Sequence, residues 1–486
     1  MIMYQESHEC VQAIRGKDCH ITPNPLVKVT LKSDIRMGKW VGKTVEEELR
    51  RRLTFTNPEW EERVKRGFST WNIPEKLCFL NDDGHNLIMP RGFIRHLLRI
   101  LKQHNANYQL DDLRRTLPPV DFSFRGKLRD YQAEAVEAML FQEFGTLHAP
   151  TGSGKTAMAL ALVAERRQPT LIAVHTKELL EQWVDRIETF LGIPAQEVGI
   201  IGAGKKRIGD KITVALFQSL YKCVDKVMPH IGFLIVDECH KIPSRTFTQA
   251  VKAFDCRYML GLSATPYRRD KLTRLIYWHL GDKVHEVNRE VLVEEGHILE
   301  ADVIWRETYF QPYFDPSEEY SKMLTELTAN PQRNALIADD VAQEASNGGG
   351  VCLVLSDRKE HCNELIGFLA RRGVRASLLT GAMPQKDRQA VVEDLNTGKV
   401  KVLVATGQLI GEGFDCKALS TLFVATPIKF GGRLLQYLGR VLRPAPGKDK
   451  ARVYDYVDPV GVLEAAAEAR RRVYALQGQR TQAGQG

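Results

Sequence analysis

Ala149-Pro150-Thr151-Gly152-Ser153-Gly154-Lys155-Thr156 decides how the rest of the chain is read. Upstream, residues 138–147 read as a helix running into a short strand; downstream, residues 157–164 are strongly helix-forming. A glycine-rich turn between a strand and a helix aims successive backbone N–H groups at one point, where the helix dipole adds positive potential. Gly152, Ser153 and Gly154 supply that turn. Lys155 has the reach for β- and γ-phosphates, and Thr156 offers a hydroxyl to Mg2+. An ordinary strand-to-helix turn needs no Gly-Lys-Thr. The run therefore predicts a nucleoside triphosphate site and leaves open what hydrolysis drives.

The chain has 486 residues, enough for roughly three domains. Hydrophobic residues make up 43% and charged residues 26%, an ordinary globular balance. No apolar run approaches the roughly 20 residues that span a bilayer, and residues 1–16 contain no apolar core of a signal peptide. The nine cysteines are scattered without a Cys-x-x-Cys pair, which suits a reducing, cytoplasmic setting. His8, Cys10, Cys19 and His20 are the one cluster that hints at a metal, but their spacing fits no common zinc pattern. The net charge of +8 is compatible with a polyanionic partner.

Outward from the loop, short β-branched runs alternate with amphipathic helical stretches. Strands are predicted at 171–175, 212–216, 233–237, 259–263, 351–356, 376–380, 402–406, 422–426 and 453–457. Helices are predicted between them, as at 177–190, 358–372 and 385–397. Such alternation means parallel sheets covered on both faces. The expected division is a small α+β accessory domain at 1–125, an α/β domain at 126–290, a connector at 291–333, a second α/β domain at 334–476 and a disordered tail at 477–486. The first of these carries Trp40, Phe55, Trp60, Phe68, Trp71, Phe79 and Phe93.

A second chemical motif closes the predicted strand at 233–237: Val236-Asp237-Glu238-Cys239-His240. Asp237 at a strand end can hold Mg2+ through its water shell, and Glu238 can polarise the attacking water. A metal-binding carboxylate beside a base-like one is what phosphoanhydride hydrolysis requires. An isolated Asp-Glu would be a solvated acidic turn; downstream of a phosphate loop it has a role.

This set resembles the superfamily 2 helicases of the DEAD/DEAH-box group, whose motifs occur here in order over residues 128–458. Leu128-Arg129-Asp130-Tyr131-Gln132 is similar to the glutamine motif, implying that Gln132 reads adenine. His175-Thr176-Lys177-Glu178-Leu179, with Gln182 and Trp183, resembles motif Ia, and Phe217-Gln218-Ser219-Leu220 the motif after it. Asp-Glu-Cys-His resembles motif II. Ser263-Ala264-Thr265-Pro266 matches motif III, which couples hydrolysis to strand movement. Val404-Ala405-Thr406 with Gly411-Glu412-Gly413-Phe414-Asp415 matches motif V, and Gln436-Tyr437-Leu438-Gly439-Arg440-Val441-Leu442-Arg443 matches motif VI.

The resemblance implies two tandem RecA-like domains, ATP and Mg2+ as cofactors, and nucleic acid as the track. Gly413 and Asp415 join the nucleotide contacts; His240, Ser263, Thr265 and Gln436 fall at coupling positions. Thr176, Lys177, Gln218, Ser219 and Thr406 match positions that touch the phosphodiester backbone, contacts that are sequence-blind and salt-sensitive. Arg440 and Arg443 lie one helical turn apart and so on one face. From the second domain they would meet the γ-phosphate only on closure, stabilising charge on the transferred group.

Asp-Glu-Cys-His together with Thr265-Pro266-Tyr267-Arg268-Arg269-Asp270 is most similar to the XPB, UvsW and RadD branch, which acts on DNA. The XPB pattern has Glu where Arg269 stands. The implied function is a DNA helicase or translocase acting on duplex, fork or branched DNA in repair, recombination or replication. Alternatives are the motor of a restriction or defence complex with a partner nuclease, an RNA helicase, or an ATPase clamp that never separates strands. Arg50-Arg51-Arg52 and the aromatic residues after it make the N-terminal region a candidate contact for DNA, although Glu46-Glu47-Glu48 beside it also fits a plain solvated face. The basic run Gly202-Ala203-Gly204-Lys205-Lys206-Arg207 stays open between a polymer contact and a solvated turn.

Overall fold

A computed structural model describes residues 26–39, 41–240, 244–264, 272–347, 350–381, 383–407, 416, 418–428, 431–445, 448, 450–476 and 479–483. The phosphate loop joins the strand Phe144–His148 to the helix Lys155–Arg166. That strand belongs to an eight-stranded sheet. Its order is Lys205–Arg207, Gly199–Gly202, Ile212–Leu216, Thr170–Val174, Phe233–Val236, Tyr258–Ser263, Phe144–His148 and Lys283–Glu286. All neighbours are parallel except the first pair. The central strands are rich in β-branched residues and buried at every position but Leu216, as a sheet covered on both faces requires.

The antiparallel pair is the basic run left open above. Its turn places Ala203 at φ 50° and Gly204 at φ +82°, and Lys205–Arg207 forms an exposed edge strand. Charged edge strands of this kind discourage sheet-to-sheet association.

A second sheet has seven parallel strands, in the order Ala376–Leu379, Val402–Thr406, Val351–Ser356, Leu419–Val424, Ala451–Val457, Ala301–Glu307 and Arg480–Ala483. Two of these differ from the sequence expectation. Ala301–Glu307 lies within the stretch expected as a connector, yet pairs along its length with Ala451–Val457. Arg480–Ala483 lies in the tail expected to be disordered, yet joins the edge of the sheet. Backbone ladders satisfy N–H and C=O groups whatever the side chains are, so polar composition alone did not reveal either strand.

A five-stranded sheet precedes both, in the order Asn81–Asp82, Asn86–Pro90, Asp34–Gly38, Val27–Leu31 and Tyr108–Asp112. It packs under the helices Lys43–Arg52 and Ile94–Gln103. The helix Thr273–Leu280 serves two cores. Leu275 and Trp278 sit in the N-terminal core, while Ile276 and Leu280 sit in the core of the eight-stranded unit. Arg91, fully buried, donates to the carbonyls of Cys256 (2.9 Å) and Arg257 (3.3 Å) and lies over the Phe144 ring. Gly92 is required beside it, because a Cβ there would stand 2.2 Å from the Tyr277 carbonyl oxygen.

Candidate active site

The loop closes on itself before any ligand is considered. Gly152 (φ +92°) and Gly154 (φ +84°) occupy left-handed conformations that a side chain would strain. Ser153 is buried, and its hydroxyl donates to the Pro150 carbonyl at 2.7 Å. The Ser153 carbonyl accepts from Tyr131 Oη (2.9 Å) and Gln132 Nε2 (2.8 Å). Gln132 Oε1 in turn accepts from the Arg129 N–H at 3.0 Å. Gln132 thus ties the loop, through one end of its amide, to the start of its own helix through the other. Lys155 Nζ donates to the Ala149 and Pro150 carbonyls at 3.0 and 3.3 Å.

Asp237 follows the strand Phe233–Val236 and is buried. Its Oδ2 accepts from the indole N–H of Trp183 at 2.8 Å, and its Oδ1 from the Glu238 N–H at 2.9 Å. Glu238 holds φ 46°, an uncommon conformation for a non-glycine residue, of the sort that concentrates at functional sites. Burial first, and then the Glu238 carboxylate, push the Asp237 pKa up; the Trp183 indole and the Lys155 ammonium oppose the shift. Two carboxylates in a desolvated pocket favour a divalent cation, so the donor set suits Mg2+. His240 Nδ1 and Ser263 Oγ are 2.9 Å apart, joining the turn after Asp237 to the end of the strand Tyr258–Ser263.

The helix Gly431–Val441 and the turn after it bring the second sheet's unit to this loop. Gly439 is packed so close that a Cβ there would stand 2.3 Å from Thr151 Cβ, and Gly152 lies against Arg443 Cγ and the Gly439 carbonyl. Lys448 Nζ donates to the Arg443 carbonyl at 2.7 Å, closing the turn that carries that arginine. Tyr437 Oη donates to the Gly407 carbonyl at 2.8 Å. One cavity of about 280 Å3 is walled by Gly152, Gly154, Lys155 and Thr156, by Asp237 and Glu238, and by Arg440 and Arg443. One further contact crosses between the units, Arg388 to Glu178 at 3.7 Å, and the segment leading into Ala301–Glu307 is tied down by the Leu299 N–H to the Leu442 carbonyl at 2.8 Å.

Sequence-predicted residues away from this cavity gather at strand carboxyl ends. Thr176 caps the helix Lys177–Leu191 by accepting the Leu179 N–H, and exposed Lys177 lies 3.4 Å from Glu181. Gln218 is exposed and Ser219 half-buried beyond the strand Ile212–Leu216; Thr406 ends Val402–Thr406. Thr265, Gly413 and Asp415 lie outside the described residues, as does the side chain of Gln436 and the His8, Cys10, Cys19 and His20 cluster. Sequence reasoning gave no role to Trp183 or to the Gly439–Thr151 contact, since nothing in either residue's neighbourhood names its distant partner.

The fold and cavity define a two-unit α/β protein whose phosphate loop and arginine pair meet across a cleft. Comparison with known families agrees with that class. The family described as type III restriction enzyme, res subunit, matches residues 125–268, and the helicase conserved C-terminal domain matches residues 333–445. The chain is 30% identical over 393 residues to the probable helicase D10 of Escherichia phage T5, covering 79% of this chain and 83% of that one. It is 27% identical to the DNA 3'-5' translocase XPB2 of Sulfurisphaera tokodaii, covering 71% of this chain and 84% of that one. The Hef helicase domain of Pyrococcus furiosus has a similar fold, with a TM-score of 0.50 and 15% identity over 71% of this chain and 98% of that one. The chain belongs to the superfamily 2 helicases, among relatives of XPB and the phage helicases. Among the described residues no helix is long and apolar enough to cross a membrane.

Proposed function

We propose that this protein is an ATP-driven DNA helicase or translocase that remodels duplex, fork or branched DNA. The observation that carries the proposal is the single cavity in which Lys155, Asp237 and Glu238 face Arg440 and Arg443. In this account Lys155 exchanges its two loop carbonyls for the β- and γ-phosphates. Thr156 and Asp237 would hold Mg2+, which when bound neutralises phosphate charge. Glu238 orients the attacking water and takes its proton. Arg440 and Arg443 stabilise the charge that develops on the transferred group. Gln132 couples adenine recognition to loop shape through the Ser153 carbonyl. The His240–Ser263 contact carries the state of the nucleotide to the strand ends, where Thr176, Lys177, Gln218, Ser219 and Thr406 hold the phosphodiester backbone. ATP closes the cleft and hydrolysis releases it, so a polymer held across both units is stepped along. The accessory and motor divisions expected from the sequence belong to the same proposal, with Ala301–Glu307 and Arg480–Ala483 counted to the second motor unit.

DNA is favoured by the XPB-like motif pattern; among the relatives XPB2 is described as a DNA translocase, while others are described as RNA helicases. The test is ATPase stimulation across single-stranded DNA, blunt duplex, forks, four-way junctions and RNA. Stimulation by DNA, strongest with forks or junctions, supports the proposal; stimulation by RNA alone contradicts it. A second reading, a motor that serves a partner nuclease, is favoured by the restriction-subunit family match over residues 125–268. That reading predicts co-purification with a nuclease chain.

A further inference from the structure

Among the described residues, most aromatic side chains of the N-terminal unit turn inward or are half-covered, and two stand out as most exposed. Trp71 is 84% exposed and Phe68 is 59% exposed. Both stand on one loop, residues 66–73, at the tip of an excursion between the paired strands Thr54–Thr56 and Lys76–Cys78.

The loop is built rather than loose. Gly67 (φ +67°) and Asn72 (φ 65°) turn the chain at either end. The Phe68 N–H donates to the Arg63 carbonyl at 2.9 Å, and the Ile73 N–H to the Thr70 carbonyl at 3.0 Å. Arg63 Nη1 donates to the Ser69 carbonyl at 3.2 Å. Buried Asn57 ties the base, donating from Nδ2 to the Pro74 carbonyl at 3.0 Å. An indole held out from a fixed backbone offers a large apolar face with a polar N–H edge to whatever approaches the loop.

The excursion is fastened to the motor. Phe55, in the first strand at its base, and Phe79, just after the second, stack with ring centroids 6.0 Å apart. Both lean on Trp278, at 5.7 and 5.2 Å. Trp278 sits on the helix Thr273–Leu280, whose Ile276 and Leu280 share a core with Phe217 and Leu220. Those two residues bracket Gln218 and Ser219, the proposed backbone contacts. The base of the aromatic loop is therefore anchored to a helix that also covers the core beneath those contacts. The phosphate-loop helix packs in a different core.

We propose that residues 66–73 form a base-stacking contact for unpaired nucleic acid, with Trp71 and Phe68 as its platforms. This rests on the DNA-motor reading and deepens it. The chemistry is stacking rather than phosphate pairing. The nearby arginines are neutralised within the helix Pro58–Lys65 and its cap, Arg63 by Glu59 at 3.4 Å and Arg66 by Glu62 at 2.5 Å. Every base has a π-face, so such a contact is indifferent to sequence, but it needs bases that are not buried in a duplex. Carried on the first motor unit, it would hold one splayed strand while the other unit moves.

The test compares wild type with Trp71→Ala, Phe68→Ala and Trp71→Tyr. Binding is measured on single-stranded DNA, on a fork with 2-aminopurine in its unpaired arm, and on blunt duplex. Both alanine variants should bind single strands and forks about tenfold more weakly and lose fluorescence quenching at the probe. Blunt duplex affinity should change less than twofold, and Trp71→Tyr should recover most of the loss. The slope of log affinity against log salt should not change, because no phosphate contact is removed. Both rings are exposed, so an unchanged melting midpoint confirms the fold. If wild-type ATPase responds to DNA but the alanine variants bind single strands and forks as wild type does, the loop proposal falls alone, and a protein partner becomes its occupant. Equal losses on blunt duplex also overturn it. If wild type neither binds nor responds to any nucleic acid, both this proposal and the motor reading fail.

Discussion

Trp183 donates its indole N–H to Oδ2 of Asp237 across 2.8 Å, although 54 residues separate the two in the chain. Trp183 is buried in the middle of the helix Lys177–Leu191, whose first residues lead from the proposed nucleic-acid contacts. One rigid helix thus links a carboxylate at the nucleotide cavity to the strand ends where a polymer would lie. Trp183→Phe keeps the packing and removes the donor. Losing a buried hydrogen bond to a charged acceptor costs about 2 kcal/mol. We expect about a tenfold loss of ATPase and a raised Mg2+ requirement, checked by Mg2+ titration and by Mn2+ binding followed by electron paramagnetic resonance. Unchanged metal affinity together with normal turnover would remove Trp183 from the site.

Gly439 packs where a Cβ would meet Thr151 at 2.3 Å, and the contact joins two separately built sheets. Gly439→Ala should wedge the cleft open without unfolding either unit. ATPase is expected to fall at least tenfold with nucleotide affinity reduced only a few-fold. Small-angle scattering should report a larger radius of gyration for the variant with nucleotide bound. An unaltered turnover would show that the cleft has slack at this point.

The N-terminal unit is held to the motor by Arg91 and by the close approach of Gly92 to Tyr277. Burial lowers the Arg91 pKa to about 10, so the guanidinium remains charged at neutral pH. Arg91→Met would leave backbone carbonyls without their donor, at a cost of about 2 kcal/mol. Gly92→Val would clash directly. Both should expose residues 113–127 to limited proteolysis while the motor core stays resistant. Cleavage at the wild-type rate would mean that the apolar contacts around Trp278 suffice.

Three buried histidines make the fold sensitive to acid. Burial pushes the pKa of His148 down to about 4 and those of His279 and His361 down to about 3. His361 is fixed as a neutral ring by Ser356 and Asn334, both at 2.9 Å. In the unfolded chain each takes up a proton near 6.5. The unfolded state therefore binds more protons below that value. The stabilising contribution is complete above pH 6.5 and is lost as pH falls from there toward 3. Each histidine contributes up to about 1.4 kcal/mol per pH unit in that window. Melting midpoints should hold from pH 7.5 to about 6.5 and then fall toward pH 4.5, and His361→Gln should flatten that fall. A midpoint independent of pH across this range would contradict the buried neutral rings.

Much of the motor was legible because it rests on local signals. The strands at Ile212–Leu216, Val351–Ser356 and Val402–Thr406 fall where β-branched runs placed them. The phosphate loop and the Asp237-Glu238 pair are contiguous, and their chemistry follows from neighbouring residues. What escaped depends on long-range pairing. Asp34–Gly38 and Tyr108–Asp112 carry few apolar residues and gain their place from the sheet beside them. Ala301–Glu307 mixes Trp, Arg and Glu and so lacks the unbroken apolar run that marks the central strands. The Trp183–Asp237 bond and the Gly439–Thr151 approach are tertiary facts with no local trace. The inward turn of Phe55 and Phe79 against the outward turn of Trp71 could not be read from composition.

The central claim is that the nucleotide site is completed across the cleft, with Lys155 on one wall and Arg443 on the other. Its most direct test is parallel measurement of ATP binding, with a fluorescent analogue, and DNA-stimulated hydrolysis in wild type, Lys155→Ala and Arg443→Ala. The account predicts that Lys155→Ala abolishes hydrolysis while leaving DNA binding largely intact. It also predicts that Arg443→Ala binds ATP within a few-fold of wild type and hydrolyses it at least a hundredfold more slowly. Turnover near the wild-type rate in Arg443→Ala, or loss of ATP binding in place of turnover, would contradict it.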